Sequence, residues 1–336
     1  MAGVLKTSPA GAAAARDEDR RSGRGHGSLV RLVLVRLAAS AGVLWGAVTV
    51  TFVLLQVMPG STADVLLART SVSPEVRERI VAEYGLDDPI PVQYLTYLGR
   101  IVRGEFGESY VLRRPVWGEI AAQLPSTLLL VATTLLATIV ASVALGVASA
   151  NRRAWVRSLF ASAESLVVAL PPFWLGLLLL TVFSFTLHWF PAIGSSSPAG
   201  LVLPTAALAA GPAAVVAGVL REGLLRAADE PFVVTARARG LGETALRLRH
   251  VLRHALIPVT TLLGWIAGSL IGGAVIIEIV FSRQGIGRLA LSAVANKDMP
   301  VVVAVVLVTA IAFVLVTIAV DILTWVIDPR TRDSGR

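Results

Sequence analysis

The chain has 336 residues, 55% of them hydrophobic and only 15% charged, which excludes an ordinary soluble protein and makes a bilayer its natural solvent. Net charge is +8, but no helix-turn-helix or RNA-binding signature accompanies it, so the excess reads as loop charge facing anionic headgroups and cytoplasm, with no nucleic-acid partner. Cysteine is absent, which removes a disulfide framework, a thiolate metal site and a Cys nucleophile.

Residues 1–28 are rich in Ala, Gly, Ser and Arg without apolar periodicity and are expected to form a disordered cytoplasmic tail. The next apolar stretch, about 33–57, is too long for the h-region of a signal peptide and has no A-x-A-like site after it, so it reads as an uncleaved first span. A large external loop, 58–123, follows. Five further stretches approach the ~20 residues that cross a bilayer: about 124–148, 159–186, 201–225, 258–281 and 301–327. The third span overall carries Pro171-Pro172, where a kink is expected because proline removes a helix hydrogen bond. The fourth is Ala-rich and contains Pro204 and Pro212, which neighbouring helices can accommodate. The expectation is therefore an all-α polytopic membrane protein with six transmembrane helices, its membrane domain covering 29–332 and a short tail at 333–336.

Loop charge sets the orientation. Lys6, Arg16, Arg20, Arg21, Arg24, Arg31 and Arg36 precede the first span, and Arg152, Arg153 and Arg157 lie in the 149–158 loop. Residues 187–200 have no Lys or Arg, 226–257 are strongly basic, and 282–300 hold only Arg283, Arg288 and Lys297. This alternation predicts both termini inside, with 226–257 cytoplasmic. The 58–123 loop has arginines too, but it exceeds about 60 residues and carries nine acids, so it weighs little. Arg237, Arg239, Arg247, Arg249 and Arg253 also keep 226–257 out of the hydrocarbon. At about 2.5–3.5 kcal/mol each, burying all five costs on the order of 12–18 kcal/mol.

Within that loop "VVTARARG" predicts a short helix closing at Gly240, and "ETALRLRHVLRHALIP" an amphipathic one with Leu248, Val251, Leu252 and Ala255 on one face. By residue pattern alone this is either a basic loop that enforces topology or a protruding docking element. "TARARGLGETALRLRHVLRHALIPVTT" resembles the cytoplasmic loop of binding-protein-dependent ABC-transporter permeases of the dipeptide/oligopeptide/nickel branch. The motif of that loop, named for an EAA start and a later glycine, here reads Val234-Thr235-Ala236-Arg237-Ala238-Arg239-Gly240, with Val234 in place of the nominal Glu. "YGLDDPIPVQYLTYLGRIVRGEFGESYVLRRPVWGEIAAQLPSTLLL" is similar to the first external loop of the peptide subfamily. "GGAVIIEIVFSRQGIGRLALSAVANKDMPVV" and "VDILTWVIDPRTR" resemble its last two spans and C-terminus. The resemblance covers roughly 30–332.

The resemblance implies the type I ABC importer permease fold and a role in importing di- or oligopeptides, with nickel or another small solute as the alternative and a non-transporting membrane scaffold as the lesser one. It implies four partners besides the lipid bilayer: a second homologous permease, two cytosolic ABC ATPase subunits and an extracytoplasmic substrate-binding protein. It also assigns Thr235, Ala236, Arg237, Ala238, Arg239, Gly240, Leu241 and Gly242 to the helix that contacts an ATPase. No phosphate loop G-x-x-x-x-G-K-[ST] occurs. ATP and Mg are therefore expected on the partner ATPases, with no cofactor bound by this chain.

Other residues carry weaker expectations. Gly264, Gly268 and Gly272 follow a small-xxx-small pattern, read either as packing within the chain or as close approach to a partner permease. Glu278 is an intramembrane carboxylate that either lines a pathway or forms a structural pair with an external Arg, pairing being favoured. Asp321 is expected to cap a helix or pair with a basic loop residue. His250 and His254 share a helix face but lack a third ligand, so no metal site is expected. His188 beside Trp189 is expected in an interfacial belt, and Asp87, Asp88, Glu105 and Glu108 read either as a contact for a binding protein or a peptide amine or as a solvated external face, the latter being favoured. No G-x-S-x-G elbow or convergent catalytic set is present, so the chain is not expected to be an enzyme.

Overall fold

The computed structural model describes residues 38–54, 56–57, 88–150, 152–192, 197–228, 230–231, 233, 238 and 252–327. The elements in chain order are α1 (Ala38–Leu54), α2 (Ile90–Val102), α3 (Val116–Ala150), α4 (Ala154–Ala169), α5 (Pro172–Leu179), α6 (Ala199–Ala228), α7 (Leu252–Val280), α8 (Ile286–Ala295) and α9 (Met299–Ile327). A π-helical segment, Leu180–Thr186, continues α5. Among the described residues there is no strand, only an isolated bridge between Glu108 and Pro115.

Among the described residues four helices are long and apolar enough to cross a membrane: Val116–Ala150, Ala199–Ala228, Pro258–Val280 and Met299–Ala319. The pair Ala154–Ala169 and Pro172–Thr186, bent by 99°, meets the same length and composition only when the two are taken together as one span. The bend is where Pro171-Pro172 predicts it. Leu170 is extended at φ −83°, ψ 128°, and Pro171 follows at φ −61°, ψ 135°. A residue before proline is pushed out of the helical region, so two prolines in series stop one helix and start the next. The outcome is a sharp break rather than a kink. The first expected span is represented by α1, with residues 56–57 helical as well. Residues 33–37 lie outside the described residues.

The spans are inverted relative to a soluble bundle. On α3, Thr127, Thr134, Thr138, Ser142, Gly146 and Ser149 recur at intervals of seven, four, four, four and three residues and are buried. Leu128, Leu129, Leu136, Val140 and Val147 of the same helix are exposed. Lipid solvates leucine as well as a protein core does, so the small face goes inward, where backbones can approach. The partner of that face is α6, whose buried residues include Ala207, Ala209, Ala213, Ala214 and Ala217. Pro204 and Pro212 sit within α6 without interrupting it.

Among the described residues three apolar clusters organise the bundle. The largest joins α3, α6 and α7 through Leu130, Leu203, Leu208, Val216, Leu220, Leu270 and Ile277. A second joins the start of α3 to α8 and α9 through Val116, Ile120, Ile286, Leu289 and Val301. The third seats α1 against α9 through Val48, Val303 and Leu307, with Tyr97, Leu98 and Ile101 of α2 alongside. Phe52 of α1 packs on Tyr94 at 5.3 Å and Tyr97 at 6.3 Å between ring centroids.

Two helix starts and two loops differ from the sequence expectation. Helix α3 begins at Val116 and α7 at Leu252, ahead of Pro258, and two segments read as loop contain the helices α2 and α8. Both added helices are short and amphipathic, below the length that a search for ~20-residue apolar runs detects.

Candidate functional site

The segment expected to meet an ATPase lies between α6 and α7. Its residues Thr235, Ala236, Arg237, Arg239, Gly240, Leu241 and Gly242 lie outside the described residues, as does His250. Ala238 is helical and exposed. The entry to the segment is fixed: Ala227 is buried, Val233 is 1% exposed, and its amide donates to the Glu230 carbonyl at 3.0 Å. The exit is the start of α7 at Leu252.

At the opposite end of α7 the chain forms a polar joint around Glu278, which is fully buried. The carboxylate accepts from Thr127 Oγ1 of α3 at 2.5 Å and from the Gly287 amide at 2.8 Å. The Ile286 amide donates to Thr127 Oγ1 at 2.9 Å, so the first two amides of α8 are satisfied. A carboxylate at this helix start is also favoured by the helix dipole. The sequence has to be Gly-Ile-Gly here for reasons of space. A Cβ on Gly285 would collide with the Glu278 carboxylate, and one on Gly287 with the Val275 backbone.

Glu278 forms no ion pair within 4 Å among the described residues; hydroxyl and amide donors take that place. The nearest cation by sequence, Arg283, is buried and turns elsewhere. Its Nη1 donates to the Gly200 carbonyl at 3.4 Å and its Nη2 to Ser126 Oγ at 3.3 Å. Burial pulls the Arg283 pKa below its ordinary value, and the Glu278 charge opposes that shift. The joint thus ties α3, α6, α7 and α8 together at one level.

A second clasp holds the external loop. Buried Asp298, in the α8–α9 turn, accepts from Ser109 Oγ and from the amides of Tyr110 at 3.1 Å and Val111 at 3.3 Å. Ser109 Oγ in turn accepts from the Leu112 amide at 2.8 Å. Exposed Glu105 meets Arg103 at 3.5 Å, and Asp88 and Glu108 are exposed as expected. Asp87 lies outside the described residues.

The three glycines of α7 have different surroundings. A Cβ on Gly268 would lie 2.5 Å from the Phe313 ring of α9, whereas one on Gly272 would meet nothing within 4 Å. Gly264 is half-buried. The stripe therefore rotates from an internal contact to an open face, where Trp265 and Ile276 are exposed as well. Asp321 lies in the α9 backbone, but its side chain is outside the described residues, as is that of His254. His188 is exposed, with Nδ1 3.1 Å from the Thr186 carbonyl oxygen, and Trp189 packs on Phe183 at 5.6 Å. Among the described residues no group of three His, Cys, Asp or Glu side chains is arranged to hold a metal.

Sequence reasoning missed Thr127, Asp298 and the buried pair Glu164–Arg221. The last left a readable signal, since one acid and one base stand inside two expected spans where an unpaired charge is costly. Thr127 and Asp298 left none, because their partners lie more than 150 residues away.

Residues 142–333 match the family of binding-protein-dependent transport system inner membrane components, and residues 29–131 match the N-terminal region described for such components. The chain is 36% identical over 313 residues to a putative peptide transport system permease protein of Brucella abortus, covering 90% of this chain and 99% of that one. It is 35% identical over 305 residues to the glutathione transport system permease protein GsiC of Salmonella typhimurium, with the same coverage of 90% and 99%. Among solved structures, it is similar to an inward-facing MetNI methionine ABC transporter, with a TM-score of 0.48 and 17% identity over 63% of this chain and 94% of that one.

Proposed function

The chain belongs to the family of binding-protein-dependent transport system inner membrane components, and from that premise we propose how it works within a transporter. It is a multi-pass membrane permease subunit of a peptide ABC importer, and it is not itself an enzyme. The observation that carries the peptide reading is identity of 36% over nearly the whole chain to a peptide-system permease. The glutathione-system relative favours the same class, since glutathione is a small peptide.

In this reading the chain pairs with a second, homologous permease, and the pathway runs between them. Two cytosolic ATPases bind ATP and Mg, and an external binding protein delivers the peptide. Both termini face the cytoplasm. ATP binding closes the ATPases on one another, and the 235–242 segment passes that movement to α6 and α7, which leave and enter the membrane on either side of it. The coupling has a thermodynamic condition: the ATPases must bind more tightly to one permease conformation than to the other.

The joints described above give each end of the membrane domain a different task. At the external end, Glu278 and Asp298 fix α8 and the 107–115 loop to the spans, providing a firm surface for a docked protein. At the internal end the helices lead directly into the ATPase contact. The decisive test is reconstitution with the partner subunits and comparison of peptide uptake with ATP hydrolysis. Gly240→Val is expected to leave the complex assembled while lowering uptake per ATP by about tenfold. Unchanged uptake per ATP would remove the segment from the coupling path.

A further inference from the structure

The one buried side chain of α4 is a charge. Glu164 is 9% exposed, while Trp155, Leu159, Leu166 and Val168 on the same helix are open. A helix attached by apolar packing shows the reverse order. The Glu164 carboxylate faces Arg221 of α6 as a fork, with Nη1 donating to Oε1 and Nη2 to Oε2, both at 2.7 Å. Nη1 also donates to Ser149 Oγ of α3 at 3.4 Å, bringing three helices to one point. Both charged side chains are largely buried.

The neighbouring contact is of another kind. A Cβ on Gly146 of α3 would lie 3.0 Å from Leu220 Cδ2, and Leu220 is fully buried. Helices α3 and α6 therefore meet by close apolar packing, and α4 is fastened to that unit by charge. Arg221 stands seven residues before the end of α6 at Ala228, about 10 Å along the axis. Past the far end of α4 comes the 99° bend, then α5, where Gly176 sits against Phe281 and Ala207. Helix α4 is thus a strut between an ion pair near the 229–251 segment and a bend that leads into the bundle.

We propose that Glu164 and Arg221 are positioning residues for transport: their bidentate pair makes α4 follow α6 whenever the 229–251 segment is displaced. The proposal rests on the reading of that segment as the ATPase contact. An apolar face can slide by a fraction of a turn at little cost, whereas a fork-to-fork pair has one register. Separating the partners would leave both charges unpaired within the membrane domain, so the pair holds through the cycle.

The chain has no cysteine, so spin labels can be placed selectively at Leu159→Cys on α4 and Arg226→Cys on α6 of the isolated permease, which is labelled before reconstitution with its partners. With the pair intact, the label distance is expected to be the same in nucleotide-free and ATP-bound states. In E164Q it should broaden or differ between those states, and uptake per ATP should fall by about tenfold. Exchanging the charges, E164R with R221E, should bring back the single distance and part of the uptake. A purely structural role would lower assembly without changing uptake per ATP in the assembled fraction. If E164Q does not assemble, E164M with R221M leaves no unpaired charge and carries the same measurement, with a loosened distance and lowered uptake per ATP expected. A state-dependent distance with the pair intact overturns the proposal, as do an unchanged distance and uptake per ATP in E164Q or in the double Met variant. Failure of the coupling segment is read separately: Gly240→Val would then leave uptake per ATP unchanged while E164Q still frees α4 from α6.

Discussion

Glu278 illustrates why a carboxylate can sit at the end of a membrane span without an ion pair. Two donors, the Thr127 hydroxyl and the Gly287 amide, supply hydrogen bonds to it, and the start of α8 adds a favourable dipole. Removing the carboxylate leaves both donors buried and unpaired, at about 1–3 kcal/mol for each. Glu278→Ala is therefore expected to lower the apparent Tm of the purified permease. Gly287→Ala should lower it too, although it deletes no polar group, because the added methyl meets the Val275 backbone. Backbone cannot rotate aside as a flexible side chain can. Thermal unfolding of the variants in detergent checks both, and an unchanged Tm for Gly287→Ala would contradict the packing at this joint.

At the scale of elements, hydropathy and proline placement made the spans legible, because a helix in lipid must satisfy its own backbone over ~20 residues. The bend after α4 was legible at Pro171-Pro172, but its size was not, since proline sets only the local dihedrals. Helices α2 and α8 were not legible as short apolar runs; tertiary contacts through Tyr97 and Ile286 hold them. The pairing Glu164–Arg221 was half legible. Two charges inside spans announce a partner, yet their mutual contact depends on the helix rotation. The same limit applies to the glycines of α7, whose spacing alone left two readings open. Gly268→Val should destabilise the α7–α9 contact by about 1–3 kcal/mol, because its side chain enters the Phe313 ring. Gly272→Val meets open space and should leave the isolated permease as stable as before. Measured side by side, the two variants separate packing within the chain from packing against another subunit. A stable Gly272→Val chain that no longer co-purifies with the second permease would identify the open face as the contact. Normal co-purification would assign that face to lipid or to the pathway.

For the whole molecule, the two ends of the bundle should lie on opposite sides of the membrane, a consequence of loop charge. Arginine-rich 149–158 and 226–257 alternate with 187–200, which has no Lys or Arg, and moving cations across during insertion is what the alternation avoids. The structure adds a geometric requirement. Because α3 runs unbroken from Val116 to Ala150, Glu105 before it and Arg152 after it must face opposite compartments if α3 spans. Helix α6, unbroken from Ala199 to Ala228, similarly separates Pro198 from Ala238. The absence of native cysteine makes the test direct, since each introduced thiol is the only one in this chain, which is recovered by purification before labelling is scored. Glu105→Cys and Ala238→Cys both occupy exposed positions, so accessibility is decided by the compartment and not by burial. A membrane-impermeant maleimide applied to intact spheroplasts should label Glu105→Cys and spare Ala238→Cys. Opening the membrane should expose Ala238→Cys to the same reagent. The reverse pattern would invert the molecule, and with it the side from which an ATPase can reach the 229–251 segment. Labelling of both in intact spheroplasts would mean that an even number of crossings separates them. That outcome would exclude α3, the α4–α5 pair and α6 all being spans.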